Sequence, residues 1–132
     1  MAFTVGTIIL PGYEMAVGTK LMVIADRTGP ASYTQFNTAT GAGGDVLIAG
    51  QGPFNRGGFD YVDSDATDTT GRVQLFPVYV KGGTGNAVPQ ITLMYFSIVT
   101  ATYGGQAQTA GTQIVAATNL STFSFRIRAL MV

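Results

Sequence analysis

The chain has 132 residues, of which 46% are hydrophobic and only 11% charged, seven basic against seven acidic. A typical soluble domain is about a quarter charged, so this surface has little with which to repel copies of itself, and an assembly subunit is expected. Histidine and cysteine are both absent, which excludes disulfides, thiolate metal sites and Ser/His/Asp or Cys/His catalysis.

The length fits a single domain over residues 1–132. Eighteen glycines and five prolines punctuate short apolar runs, a texture that favours strands over helices. Residues 1–10 lack a basic segment before their apolar ones, so they read as a first strand, Phe3 to Leu10, or an extended arm rather than a secretory signal. Lys20 to Ala25 reads as a strand closed by Asp26-Arg27-Thr28-Gly29-Pro30, a run of turn formers. Asp45 to Ala49 is a short strand isolated by glycines on each side. Arg72 to Val80 alternates until Pro77, which cannot donate to a ladder, so it belongs near a sheet edge. Lys81 to Asn86 connects it to Pro89 to Ala101, apolar enough to be covered on both faces, in a long hairpin. Thr112 to Thr118 and Phe123 to Val132 are expected to pair antiparallel across Asn119-Leu120-Ser121-Thr122.

The last segment carries the clearest pattern. Phe123, Phe125, Ile127, Ala129 and Met131 share one face, and Ser124, Arg126 and Arg128 share the other. Leu130 and Val132 break the polar row, so the end is either sandwiched or set against another subunit. Together these elements predict an all-β single domain, an antiparallel two-sheet sandwich of jelly-roll type or a small barrel.

Candidate sites are few. Asp60-Tyr61-Val62-Asp63-Ser64-Asp65-Ala66-Thr67-Asp68 gathers four of the seven acidic residues. Such oxygen-rich spacing suits a hard cation such as Ca²⁺, but the central glycine and distal glutamate of an EF-hand loop are missing. A solvated loop, or an acidic patch facing a neighbouring subunit's arginine, is the preferred reading. Carboxylate pairs also serve glycosidases, though those need a cleft and one raised pKa. Arg126 and Arg128 suit solvent or ion pairs with an adjacent protomer. A Ser–Lys pair would need Lys20 or Lys81 beside a serine, and neither lies in a catalytic signature. Scattered cations give no footprint for nucleic acid or anionic lipid, and no apolar stretch is long enough to cross about 30 Å of hydrocarbon. No catalytic residue, cofactor or metal ligand is assigned, and neither nucleic acid nor membrane is expected as a partner.

Two segments, Lys20-Leu21-Met22-Val23-Ile24-Ala25-Asp26-Arg27-Thr28-Gly29-Pro30-Ala31-Ser32-Tyr33-Thr34 and Asn119-Leu120-Ser121-Thr122-Phe123-Ser124-Phe125-Arg126-Ile127-Arg128, resemble small virion proteins of tailed bacteriophages. The resemblance implies a β-rich structural subunit, most often a head decoration or cement protein on the capsid surface, often a homotrimer bound to the major capsid protein. A tail, baseplate or fibre-attached module and a carbohydrate-binding module are the alternatives. Subunit or capsid contacts are then expected at Phe3, Val5, Phe125, Ile127 and Met131, where apolar residues concentrate toward the chain ends.

Overall fold

The computed structural model describes residues 13–17, 20–65, 67–68, 70–79 and 90–132. These form nine strands and no helix: β1 Tyr13–Val17, β2 Lys20–Thr28, β3 Asp45–Ile48, β4 Phe59–Ser64, β5 Val73–Tyr79, β6 Gln90–Ser97, β7 Ala101–Tyr103, β8 Gln106–Gln108 and β9 Ser124–Met131. A four-stranded sheet runs β1-β2-β9-β4, a three-stranded sheet β3-β6-β5, and β7 and β8 make a separate pair. Every pairing is antiparallel. The sheets remain open and do not close into a barrel. The predicted strands at residues 3–10 and the connection 81–86 lie outside the described residues.

Alternation dictates which side of each strand is buried. In β9, Phe125, Ile127, Ala129 and Met131 point into the core while Ser124, Arg126, Arg128 and Leu130 point away. In β6 the inward row is Ile91, Leu93, Tyr95 and Ser97, met by Val73 and Leu75 of β5 and Leu47 of β3. These rows join Val23 and Ala25 of β2 and Phe59 and Val62 of β4 in one hydrophobic cluster. The Tyr95 and Phe125 rings, one from each sheet, meet with centroids 5.2 Å apart.

Two expectations are corrected. The strand that starts at Lys20 does not turn at Asp26; it runs on to Thr28 and pairs with β9 throughout, Asp26 opposite Arg126 and Arg27 opposite Phe125. Tertiary partners override the turn propensity of these residues. Thr112 to Thr118 does not form a strand with β9, which lies instead between β2 and β4. Its backbone groups bond piecemeal. Ile114 N–H donates to Tyr95 O (2.9 Å), the Thr118 carbonyl accepts from Tyr33 N–H (3.0 Å), and Val115 N–H donates to Gln108 Oε1 (3.0 Å). Buried backbone groups must be satisfied, and scattered backbone partners, with the Gln108 side chain, here do what a ladder does elsewhere.

The edge placement of the proline strand agrees with the structure: β5 is the outer strand of its sheet and pairs with β6 from Val73↔Ser97 to Tyr79↔Ile91. At the opposite margin, Gly44 holds φ +78° against the Thr92 methyl group, leaving no room for a Cβ. Only glycine lets the chain pass this close to β6 before entering β3 at Asp45.

Candidate functional site

The charged residues concentrate on the outer face of the four-stranded sheet, where cross-strand neighbours neutralise one another. Arg126 of β9 forks onto Asp26 of β2, Nε to Oδ1 at 2.7 Å and Nη2 to Oδ2 at 3.0 Å. The hydrogen bonds from Arg126 hold the Asp26 carboxyl below its ordinary pKa. Arg128 reaches the other way, to Asp65 at 2.9 Å and Asp63 at 3.5 Å. The carboxylate contacts, that of Asp65 first, raise the Arg128 pKa. A register shift between Phe59 and Tyr61 leaves Asp60 as an extra residue in β4, and it pairs with Lys20 Nζ at 2.5 Å. A bulge re-aims a side chain in this way.

The acidic cluster is therefore not an exposed connector. Its first half is strand β4, and the carboxylates of Asp60, Asp63 and Asp65 have cationic partners within the chain. Of the two arginines expected to face solvent or an adjacent protomer, Arg128 pairs with Asp63 and Asp65 and Arg126 with Asp26, and both stay partly exposed. Asp68, the last of the cluster, is buried and accepts four hydrogen bonds. Thr70 N–H and hydroxyl donate to Oδ2 at 2.9 and 2.5 Å, and Arg72 and Val73 N–H donate to Oδ1 at 3.0 Å each. It organises the turn that launches β5. Among the described residues, no three acidic groups converge to hold a metal ion.

Burial pushes the Asp68 pKa up, but the donors from Thr70, Val73 and Arg72 outweigh it and hold the carboxyl below its ordinary 3.8. A carboxylate depressed on folding contributes stability that is complete above the unfolded-chain pKa and lost as pH falls through the folded value. Asp68→Asn is expected to cost about 2 kcal/mol at neutral pH. It should also flatten the acid limb below about pH 4, read from urea midpoints of both proteins across an acid titration.

An open depression of about 460 Å³ lies between these elements, lined by Asp26, Asp65, Thr67, Asp68, Ser124 and Arg126 among others. Its carboxylates are already engaged, and Asp26 and Asp68 are both held below their ordinary values. General acid catalysis by a carboxyl requires the opposite shift, so this depression offers no acid and base pair of the glycosidase kind.

A second polar group is completely enclosed. Arg27 continues the inward row Val23, Ala25, Arg27 of β2, and its guanidinium reaches Asp45 of β3, with Nη1 to Oδ2 at 3.1 Å and Nη2 to Oδ1 at 3.3 Å. Tyr95 of β6 donates its hydroxyl to Asp45 Oδ2 at 2.7 Å. Tyr33 accepts from Tyr95 N–H at 3.3 Å and donates to Gln113 Oε1 at 2.7 Å. Gln113 in turn bonds both backbone groups of Phe36. Burial raises the Tyr95 pKa well above 10 and pushes Tyr33 up to about 12, so both phenols keep their protons at neutral pH and remain donors. Arg27 and Asp45 are 0% and 1% exposed, and no substrate can reach them. The cluster ties the two sheets and the loops around Tyr33 and Gln113 together. The unbroken alternation from Val23 to Arg27 was the signal that could have placed Arg27 inside.

The remaining surface of interest is the outer face of the three-stranded sheet. Val46 and Ile48 of β3, Met94 and Phe96 of β6, and Phe76 and Val78 of β5 occupy the outward positions, opposite the core rows. Its polar members are Gln74, Gln90 and Thr92, and the described strand positions on this face carry no charge. Phe76 stands 42% exposed with its ring edge-on to Phe96 at 5.4 Å, and Ile98, just past β6, is 40% exposed. An antiparallel sheet facing water normally alternates to polar on that side; here the outward row is largely apolar, Phe76 is its one exposed member among the described strand positions, and Thr92 at its middle is buried.

Of the expected contact residues, Phe3 and Val5 lie outside the described residues. Phe125, Ile127 and Met131 face inward, 2%, 0% and 0% exposed. This corrects the expectation for these three: the chain's own core occupies them, because β9 is an inner strand and its apolar row faces the opposing sheet. Leu130 is half-buried, and Val132 is tied down, its N–H donating to Gly58 O at 3.0 Å and its carbonyl accepting from Gly57 N–H at 3.2 Å. No protein family, curated protein or solved structure matches the chain.

Proposed function

We propose that the chain is a non-enzymatic structural subunit of a tailed-bacteriophage virion, a decoration or cement protein held on the major capsid protein at the head surface as a homo-oligomer. One observation carries the assembly part of this reading: the outer face of the three-stranded sheet is apolar and uncharged where an isolated domain would be polar. The low overall charge and the internal neutralisation of the acidic cluster favour the same reading, since a tile that ties neighbours together works through surface contact rather than chemistry. The virion placement rests on the resemblance of the Lys20 to Thr34 and Asn119 to Arg128 segments.

The fold suits such a tile as a two-sheet sandwich. One core cluster draws on both sheets, and the Arg27 to Asp45 contact runs from one sheet to the other. A rigid, doubly tethered slab presents its faces at fixed geometry, so weak contacts repeated over a lattice sum to firm attachment.

Quantitative mass spectrometry of purified particles tests the proposal. A decoration protein is expected at a copy number comparable to that of the major capsid protein. A handful of copies would move the chain to the tail or baseplate, and its absence from particles would end the virion reading.

A further inference from the structure

We infer that the outer edge of β1 takes residues 3–10 of an adjoining copy as a further antiparallel strand, so that copies are held together by exchanged N-terminal segments. The inference deepens the assembly reading above and rests on it for its biological setting. β1 ends the four-stranded sheet, with β2 on one side and, among the described residues, no strand on the other. Alternate residues of such a strand turn their N–H and C=O groups away from the sheet, where a further strand can meet them. The other edges of the two large sheets are each blunted. β5 carries Pro77, which has no N–H to donate, β3 is only four residues long, and β4 is bulged at Asp60. β1, Tyr13-Glu14-Met15-Ala16-Val17, runs in unbroken register with β2 and has no proline, lysine or bulge.

The residues that lead into β1 select the occupant. Phe3 to Leu10 is free of charge and rich in β-branched residues, and Pro11-Gly12 alone joins it to β1. Antiparallel pairing continued from that link sets Leu10 opposite Tyr13 and Ile8 opposite Met15. The ladders place Met15 opposite Met22, Met22 opposite Leu130 and Leu130 opposite Tyr61. Met22, Leu130 and Tyr61 belong to the outward side of the sheet, where Tyr61 is 52% exposed, and Ile8 extends that apolar row by one strand. The hand of the link sends the segment to another copy. A two-residue link between neighbouring antiparallel strands closes as a type I′ or II′ turn, and both need a positive φ at the first central position. Pro11 stands there with φ fixed at about −65°. A three-residue loop over Pro11 to Tyr13 would need its last residue left-handed, and Tyr13 is already extended in β1. Pairing with another copy's β1 keeps the same ladder and lets Pro11 stay extended, which its ring favours.

Oxidative cross-linking of the full chain reads this directly, because the protein has no cysteine of its own. In Ile8→Cys/Met15→Cys the paired positions stand about 4.5–5.5 Å apart between Cα atoms, within disulfide reach. A covalent oligomer is expected on a non-reducing gel, with peptide mapping placing the bond between residues 8 and 15 of different chains. Ile8→Cys/Ile48→Cys, which offers the segment the β3 edge instead, should give no bond between its two positions. Pro11→Asn turns the link into Asn-Gly, the strongest short hairpin signal. Added to Ile8→Cys/Met15→Cys, it should move the bond within one chain, and alone it should convert the oligomer seen by sedimentation equilibrium into a monomer. Circular dichroism confirms that each variant is folded. An intrachain bond with Pro11 in place, cysteines that stay reduced, a bond to residue 48, or a wild-type monomer at high micromolar concentration would overturn the inference. A covalent oligomer absent from particles would remove the virion reading alone, and particles carrying Ile8→Cys/Met15→Cys with no bond between chains would remove this one alone.

Discussion

Replacing Arg27 with methionine is expected to lower the unfolding free energy by about 3–5 kcal/mol, the usual cost of leaving one member of a buried ion pair behind. For a domain of this size that is a fall in Tm of roughly 10–20 °C. Asp45 would keep the Tyr95 hydroxyl as hydrogen-bond donor but lose its cation in a site closed to water. Burial already raises the Asp45 pKa above 3.8 while Arg27 and the Tyr95 hydrogen bond oppose the rise. Removing Arg27 therefore drives it higher. The sign is opposite to that of Asp68: the folded chain holds the Asp45 proton more tightly than the unfolded chain does. Its contribution to stability is greatest below the unfolded-chain pKa and declines as pH climbs through the folded value. Urea unfolding of Arg27→Met, Asp45→Leu and the double variant forms a cycle. The double variant should recover much of the loss, since an apolar pair of similar volume replaces a buried ion pair at little cost. Additive losses would mean that the two residues act separately. By contrast, Asp26→Ala, which breaks the more exposed pair with Arg126, should cost under about 1 kcal/mol.

Phe125→Ala is expected to destabilise the fold by about 3–5 kcal/mol, the range for emptying a buried aromatic position. The ring lies between the two sheets against Tyr95, and Tyr95 carries the hydroxyl that serves Asp45. The cavity would thus loosen both the apolar core and the polar cluster beside it. Urea unfolding reads the loss. Sedimentation of the folded variant should show association unchanged from wild type, which separates a core residue from a contact residue. Weakened association with full monomer stability would return Phe125 to the interface that its position in a terminal apolar strand suggests.

These two residues illustrate how far local pattern carries. In Phe125 to Met131 the period-two alternation is complete, and each inward position is buried as the pattern demands. Glycine and proline punctuation marks an all-β chain because those residues act through their own backbone geometry, and Pro77 places β5 at an edge because a missing N–H is a property of the residue alone. The destination of the inward face was not legible. An apolar row looks the same whether an opposing sheet or another subunit covers it.

What the amino-acid sequence determined by itself was the class of fold, the main strand segments and the absence of histidine and cysteine chemistry, all consequences of single residues or of spacing along the chain. Tertiary structure alone decided that Asp26 and Arg27 continue a strand, that Asp60, Asp63 and Asp65 find cations within the chain, and that the apolar row of β9 is spent on the chain's own core. The reason is distance along the chain. Arg27 finds Asp45 18 residues away, and Arg126 finds Asp26 100 residues away. Whether a charge can be buried, or a turn former extended, depends on a partner that only the folded chain brings within reach.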